Sequence, residues 1–452
     1  MFIKKFSILL ATLALLGAAF YNGYPLVYSD TGTYIRSGFD GQIPNDRPVV
    51  YGLFLWFFSG GGLSLWPTIF VQCLLMAFVL KKTLTLIWPA SGSEDRFLWI
   101  TVLLCLLTPL PWYSGQLMPD IFTPIQILLI VTYLLQPRST RLQTGWMAAL
   151  YVFCCVVHFS NLFIGLGTLI GIAIGHRLWA FSVEGLYKKL IIMGLWSMSA
   201  FLVLPAINYA VGREWILSKG GYTFLIGRFI DSGLLKQYLD DHCATSNYRL
   251  CNYKDSLPVN SRLFHWEADS PLTKEGGWGN KVTEKEYRQI VKGTLTSPKY
   301  LVLHLWESVI STPTQLMQNA TGSGLDYKWY RSPASPPWQA ISKWFPHEHN
   351  EYRFSRQCGN LWKQELNFDF FNTLLFWVLS LSLLVLFWQY WQGTAWPDTW
   401  TTAMMVMAIG VLANAFITSS LGSICDRFPS RVVWLLPFWA ILVLMRRFLP
   451  KE

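Results

Sequence analysis

The chain of 452 residues is 52% hydrophobic and only 14% charged, with a formal net charge of +10. A soluble protein carries charge on about a quarter of its residues, so this composition cannot clothe a water-facing surface and suits lipid instead. The Lys and Arg gather in short clusters between apolar runs rather than in a basic stripe interleaved with stacking aromatics, which argues against a nucleic-acid partner.

A membrane-crossing helix needs about twenty apolar residues. On that scale candidate spans fall near 6–26, 64–80, 97–112, 120–136, 145–160, 162–176, 190–210, 370–389, 398–418 and 431–447. The first follows Lys4 and Lys5 and contains Gly17-Ala18-Ala19, a stretch that also suits signal-peptide cleavage. The apolar run continues through Phe20 to Val27, which favours an uncleaved helix. The loop 28–63 holds short segments expected to lie along the membrane surface.

The long segment 211–369 has ordinary polar composition and is expected to fold as one mainly helical domain. Residues 224–238 and 284–295 have helical spacing, and Gly-Gly-Trp-Gly at 276–279 reads as a turn. Residues 299–318 are apolar but contain His304, Glu307 and Gln315, which predicts an amphipathic helix on the membrane or under the domain. The expected fold is therefore an all-α polytopic membrane protein of about ten transmembrane helices. About seven of them belong to an N-terminal membrane domain, 1–210, and about three to the C-terminal segment 370–452.

Orientation follows from charge. If the N-terminus is cytoplasmic, the inside segments hold Lys4, Lys5, Lys81, Lys82, Arg96, Arg138, Arg141, Arg177, Lys188, Lys189, Arg446, Arg447 and Lys451. The short outside connections hold only Arg36, Arg47, Arg427 and Arg431. This positive-inside asymmetry predicts a multi-pass protein of the cell inner membrane, with both termini cytoplasmic and 211–369 extracytoplasmic. Cys73, Cys105, Cys154 and Cys155 fall within spans and read as small apolar residues, whereas Cys243, Cys251, Cys358 and Cys425 fall outside, where disulfides are permitted. Their spacing suggests Cys243 with Cys251, leaving Cys358 for Cys425, although spacing alone does not fix connectivity.

The residues that could carry chemistry sit at the outside ends of these spans. Asp30, in Tyr28-Ser29-Asp30-Thr31-Gly32-Thr33-Tyr34, closes an apolar run where a carboxylate is costly; it is either the N-cap of a short helix or a group aimed into a cavity. Asp120, in Met118-Pro119-Asp120, stands at a helix start, where an acid also complements the dipole. His158, Ser160 and Asn161 lie between two spans, and Asp426, Arg427 and Arg431 precede the last one. Arg47, Arg427 and Arg431 break the charge asymmetry and are candidates for bidentate phosphate binding. His347-Glu348-His349 is a weak metal signal, and there is no P-loop, His-Glu-x-x-His, paired Cys-x-x-Cys or Gly-x-Ser-x-Gly.

Asp30 with Tyr34 after the first helix, followed by Arg47-Pro48-Val49-Val50-Tyr51, resembles the first outside loop of the GT-C superfamily of polytopic membrane glycosyltransferases. Met118-Pro119-Asp120 is similar to a Pro-Asp at an outside helix start in the same superfamily. The resemblance implies a transferase that takes sugar from a polyprenyl-phosphate carrier in membrane lipid and passes it to an extracytoplasmic glycan, lipid or protein. On this reading Asp30 is the general base, Arg427 or Arg431 holds the donor phosphate, and Asp120 positions sugar or acceptor. Arg47, Tyr34, His158, Asn161 and Asp426 are further substrate contacts, and Trp266 and Trp278 bind the acceptor. Asp30 is followed by Thr31 rather than by the commoner second acid, which leaves the role of a divalent metal open. The alternative is a transporter or flippase of a lipid-linked glycan, which predicts functional polar residues along the full depth of several spans. An assembly protein that uses its outside domain for binding predicts indifference to changes at Asp30 and Asp120.

Overall fold

A computed structural model describes residues 2–89, 93–179, 183–325, 328–359, 365–393 and 397–448. It is all-helical, and among the described residues the sole extended pairing is one bridge between Leu26 and Gln116. Among the described residues, six helices are long and apolar enough to cross a membrane: Trp66–Ile87, Phe159–Leu178, Leu186–Gly212, Asp369–Trp391, Asp398–Leu421 and Arg427–Phe448. Helices suit these apolar runs because every backbone group within them is satisfied by the segment itself.

Three further apolar helices are shorter, Phe6–Leu15, Pro119–Leu135 and Arg141–Val157. The expected first span breaks at Leu16, resumes as Gly17–Asn22 and ends at Gly23. The expected span 97–112 stops as Ser93–Leu107, because Pro109 cannot donate to the helix ladder, and a separate turn follows at Leu110–Ser114. Lys451 and the side chains of Lys4 and Lys5 lie outside the described residues. The last apolar helix begins earlier than expected. Arg427 and Arg431 stand on it rather than before it, and Pro429 is tolerated because a first-turn N–H has no intrahelical partner.

The loop 28–63 holds two helices, Thr31–Asp40 and Val50–Phe58. Each is buried on one face, and the first packs under helix Pro336–Trp344. The approach is close: a Cβ added to Gly32 would lie 2.3 Å from the Pro336 carbonyl carbon.

The buried apolar residues of the segment 211–369, expected to be one domain, fall in three clusters, the smallest joining Leu325, Leu366 and Phe368 to Ala18 and Leu26. Ile226, Phe229, Leu235, Leu239, Phe264, Tyr287 and Ile290 form a separate cluster. Tyr330, Ile341, Phe345, Tyr352 and Cys358 instead join the core of the helix bundle. Buried polar contacts fix that second half: Gln357 accepts from the Val27 N–H at 3.0 Å and donates to the Val27 carbonyl at 2.6 Å. Glu348 accepts from the Tyr24 hydroxyl at 2.9 Å and from the Leu65 N–H at 3.3 Å. Within the first half, residues 276–279 form the expected turn, with Gly276, Gly277 and Gly279 all at positive φ.

Helix Pro298–Met317 has the polarity of a water-soluble helix turned inside out. Tyr300, His304, Ser308, Ser311 and Gln315 are buried, while Val302, Leu305, Trp306, Val309 and Ile310 are exposed. It packs along Asp398–Leu421, and Gln315 donates to the Cys425 carbonyl at 2.7 Å just past the end of that helix.

Candidate functional site

Four stretches of chain that are distant in sequence converge near the ends of these helices. Asp30 occupies the N-cap position of helix Thr31–Asp40, but its side chain makes no cap bond. The hydroxyl of Thr31 serves the turn instead, accepting from the Tyr28 N–H at 2.9 Å and donating to the Leu117 carbonyl at 3.1 Å. This frees the Asp30 carboxylate, and Oδ2 accepts from Nη1 of Arg47 at 2.9 Å and Nη1 of Arg427 at 3.0 Å.

Asp120 lies in the one-turn 3-10 helix Pro119–Ile121 and is fully buried. Arg427 grips it through Nε at 3.1 Å and Nη2 at 2.7 Å, and Arg431 adds Nη1 at 3.1 Å. The two arginines reach one carboxylate because residues four apart share a helix face. Arg431 also donates to Oδ1 of Asn414 at 2.9 Å, and the Asn414 amide donates to the Phe428 carbonyl at 2.9 Å.

Exposure separates the members of this network. Arg431 and Asp120 side chains are 0% exposed, whereas Arg47, Arg427 and Asp30 are 10%, 12% and 21% exposed. The last three therefore form the accessible edge. Arg47 also pairs with Asp46 and sits over the Tyr34 ring, 5.1 Å from its centroid, and its Nε is buried without a hydrogen-bond partner. Arg427 is likewise stacked over Tyr28, at 4.7 Å.

Burial pushes the Asp30 carboxyl up, but the charges of Arg47 and Arg427 outweigh it and hold the group below the usual carboxylate range. His158 stands in the turn between two helices, with Nδ1 2.8 Å from the Ser160 hydroxyl. Burial and then the Arg431 charge push its imidazole down to about 3, against the pull of Asp120, so it is neutral near pH 7.

The structure thus gathers Asp30, Arg47, Asp120, Arg427 and Arg431, with Tyr34 and His158 beside them. Asn161 has local duties, accepting from the Thr123 hydroxyl at 2.7 Å and donating to the Cys154 carbonyl at 3.0 Å. Asp426 accepts from the Ala320 N–H at 3.3 Å and holds that loop in place. Cys243 and Cys251 form a disulfide, but Cys358 and Cys425 do not pair. Cys358 is buried beside the Tyr330 carbonyl in the core that anchors 330–358.

His347, Glu348 and His349 point apart. His347 Nε2 lies 2.7 Å from the Leu63 carbonyl oxygen, Glu348 binds Tyr24, and His349 packs edge-on against Trp338. Among the described residues no group of three or more His, Cys, Asp or Glu is arranged to hold a metal ion. Asn414 and Tyr28 went unflagged as site residues in the sequence. An amide within a long apolar helix was the available signal for Asn414, since such a group requires a buried partner.

The chain matches no protein-family model, no curated protein and no solved structure.

Proposed function

We propose that this protein is a membrane glycosyltransferase that moves a sugar from a polyprenyl-phosphate donor to an extracytoplasmic glycan, lipid or protein. The observation that carries this reading is that Asp30 and Asp120 share Arg427, in a network whose open edge is Asp30, Arg47 and Arg427. In the topology proposed here, the six long helices are joined by the shorter apolar ones to make about ten crossings. The protein lies in the cell inner membrane with both termini cytoplasmic, which puts the charged network and the core around Phe229 on the outer side. The exposed apolar stripe of helix Pro298–Met317 then faces lipid along the outer leaflet, without a full crossing of its own.

The chemistry assigns a task to each member. Arg47 and Arg427 hold the donor phosphate, and the unpartnered Nε of Arg47 is a ready donor for one of its oxygens. Arg431 is too enclosed for that task and instead fixes Asp120, which orients Arg427. Arriving phosphate draws the two guanidiniums away from Asp30, whose carboxylate becomes more basic as they leave. Asp30 then takes the proton of the acceptor hydroxyl while the acceptor oxygen bonds to the anomeric carbon. The bond from that carbon to the phosphate oxygen breaks, and its electron pair leaves on the polyprenyl phosphate, which the guanidiniums stabilise.

An enzyme fits better than a transporter because polar side chains between the helices, such as Gln72, Thr83 and Ser197, are uncharged and already hydrogen-bonded. The test is Asp30→Asn, expressed at the normal level and reconstituted in vesicles with a radiolabelled polyprenyl-phosphate sugar. Transfer is abolished if Asp30 is the base; near-normal transfer ends that assignment.

A further inference from the structure

We infer that the groove between helix Thr31–Asp40 and the end of helix Leu186–Gly212 is the acceptor site, and that it takes an uncharged, hydroxyl-rich oligosaccharide. This rests on the transferase reading above. The cavity measures about 570 Å³, within the usual range for small-molecule sites. Its lining mixes polar side chains with Ile43 and Pro44, and its charged members are two cations, Arg36 and Lys219, and two anions, Asp40 and Glu214.

Each of these charges already has a partner. Lys219 pairs with Glu214 at 2.9 Å, Lys343 with Asp40 at 3.4 Å, and Arg36 donates to Gln339 at 2.6 Å. A charged ligand would have to break one such contact while facing a like charge across the groove. A neutral polyol can use both donors and acceptors of Thr33, Gln42 and Asn45 as well as the paired ions.

Two further observations fit a sugar. Asn45 donates to the Trp278 carbonyl at 3.3 Å, and Trp278 stacks on Trp266 with ring centroids 5.4 Å apart. Trp266 is half exposed, so this aromatic pair, tied to the groove through Asn45, offers apolar ring surface of the kind the C–H face of a pyranose packs on. The groove lining is also close along the chain to the charged network. Thr33 is about one helical turn beyond Asp30, and Asn45 is followed directly by Asp46 and Arg47 of the charged network.

The test titrates the full-length protein in lipid nanodiscs, without donor, and reads binding by saturation-transfer NMR. The probes are neutral gluco-, manno- and galacto-oligosaccharides, with oligogalacturonate of matching length as the anionic probe. At least one neutral probe binds wild type, the anionic probe binds about tenfold more weakly, and Thr33→Trp weakens neutral binding by about tenfold by filling the floor. Gln42→Ala produces a smaller loss, and it carries the test if Thr33→Trp does not fold. Neutral binding that is absent, unchanged in the folded variants, or weaker than anionic binding overturns the inference. Turnover of a polyprenyl-phosphate sugar without glycan binding overturns the groove alone, whereas glycan binding without turnover overturns the transferase reading.

Discussion

Arg427 donates to Asp30 and Asp120 at once, through Nη1 to the first at 3.0 Å and through Nε and Nη2 to the second at 3.1 and 2.7 Å. One planar guanidinium thus couples an acid at the start of helix Thr31–Asp40 to an acid at a helix start some ninety residues on. A guanidinium can do this because its donors point in several fixed directions; an ammonium is a point charge without the fork.

Arg427→Lys should therefore lose most of its transfer activity while remaining folded. The expected fall is about 100-fold, the scale seen when one donor to a developing charge is removed. Initial rates in reconstituted vesicles, alongside a monodisperse elution profile, check this. Rates close to wild type contradict the bridging role.

Arg431 acts on stability first. Arg431→Met leaves Oδ1 of Asn414 without either of its guanidinium donors and takes one partner from buried Asp120. Breaking a buried pair from one side costs about 3 kcal/mol or more, so the thermal midpoint in detergent should drop clearly. An unchanged midpoint means the pair is dispensable.

His158 makes stability depend on pH in a defined window. Burial and the Arg431 charge lower its folded value to about 3 from the ordinary 6.5, so the unfolded chain binds the proton first as pH falls. The stability contributed by the neutral imidazole is complete above about 6.5 and declines as pH falls toward about 3, by at most about 1.4 kcal/mol per unit. Thermal midpoints measured from pH 7 down to 5 should decline more steeply in wild type than in His158→Gln. Parallel profiles contradict the assignment.

The cysteines separate cleanly. Alkylation under denaturing, non-reducing conditions, read by peptide mass, should label Cys358 and Cys425 and spare Cys243 and Cys251. Cys243→Ser with Cys251→Ser should cost about 2–3 kcal/mol, the expected value for closing so short a loop. Cys425→Ser should cost little, since the thiol forms no disulfide.

The five charged residues of the site were visible in the sequence because ionised groups at the ends of apolar runs stand out against their surroundings. What hid was their mutual pairing. Arg427 and Arg431 are expected before the last span, yet they stand on its first turns, where Pro429 sacrifices no intrahelical bond. The division of 211–369 was hidden for another reason: its second half is held by Gln357 and Glu348 reaching residues more than 280 positions away, and no local pattern records such contacts. Helix Pro298–Met317 was legible as amphipathic, but which face turns inward depends on the neighbours. Here His304, Ser308 and Gln315 face protein. The pairing of Cys358 with Cys425 followed from elimination, and elimination fails where a thiol is simply buried in a core.

The most direct test of the account is binding of polyprenyl phosphate to the purified protein in nanodiscs, measured by native mass spectrometry for wild type and Arg47→Gln. Arg47 lies at the open edge with a buried, unpartnered Nε, so its loss should weaken binding by about tenfold or more while unmodified polyprenol binds both proteins equally. Equal binding of polyprenyl phosphate to the two proteins would contradict the claim that this network holds a lipid phosphate.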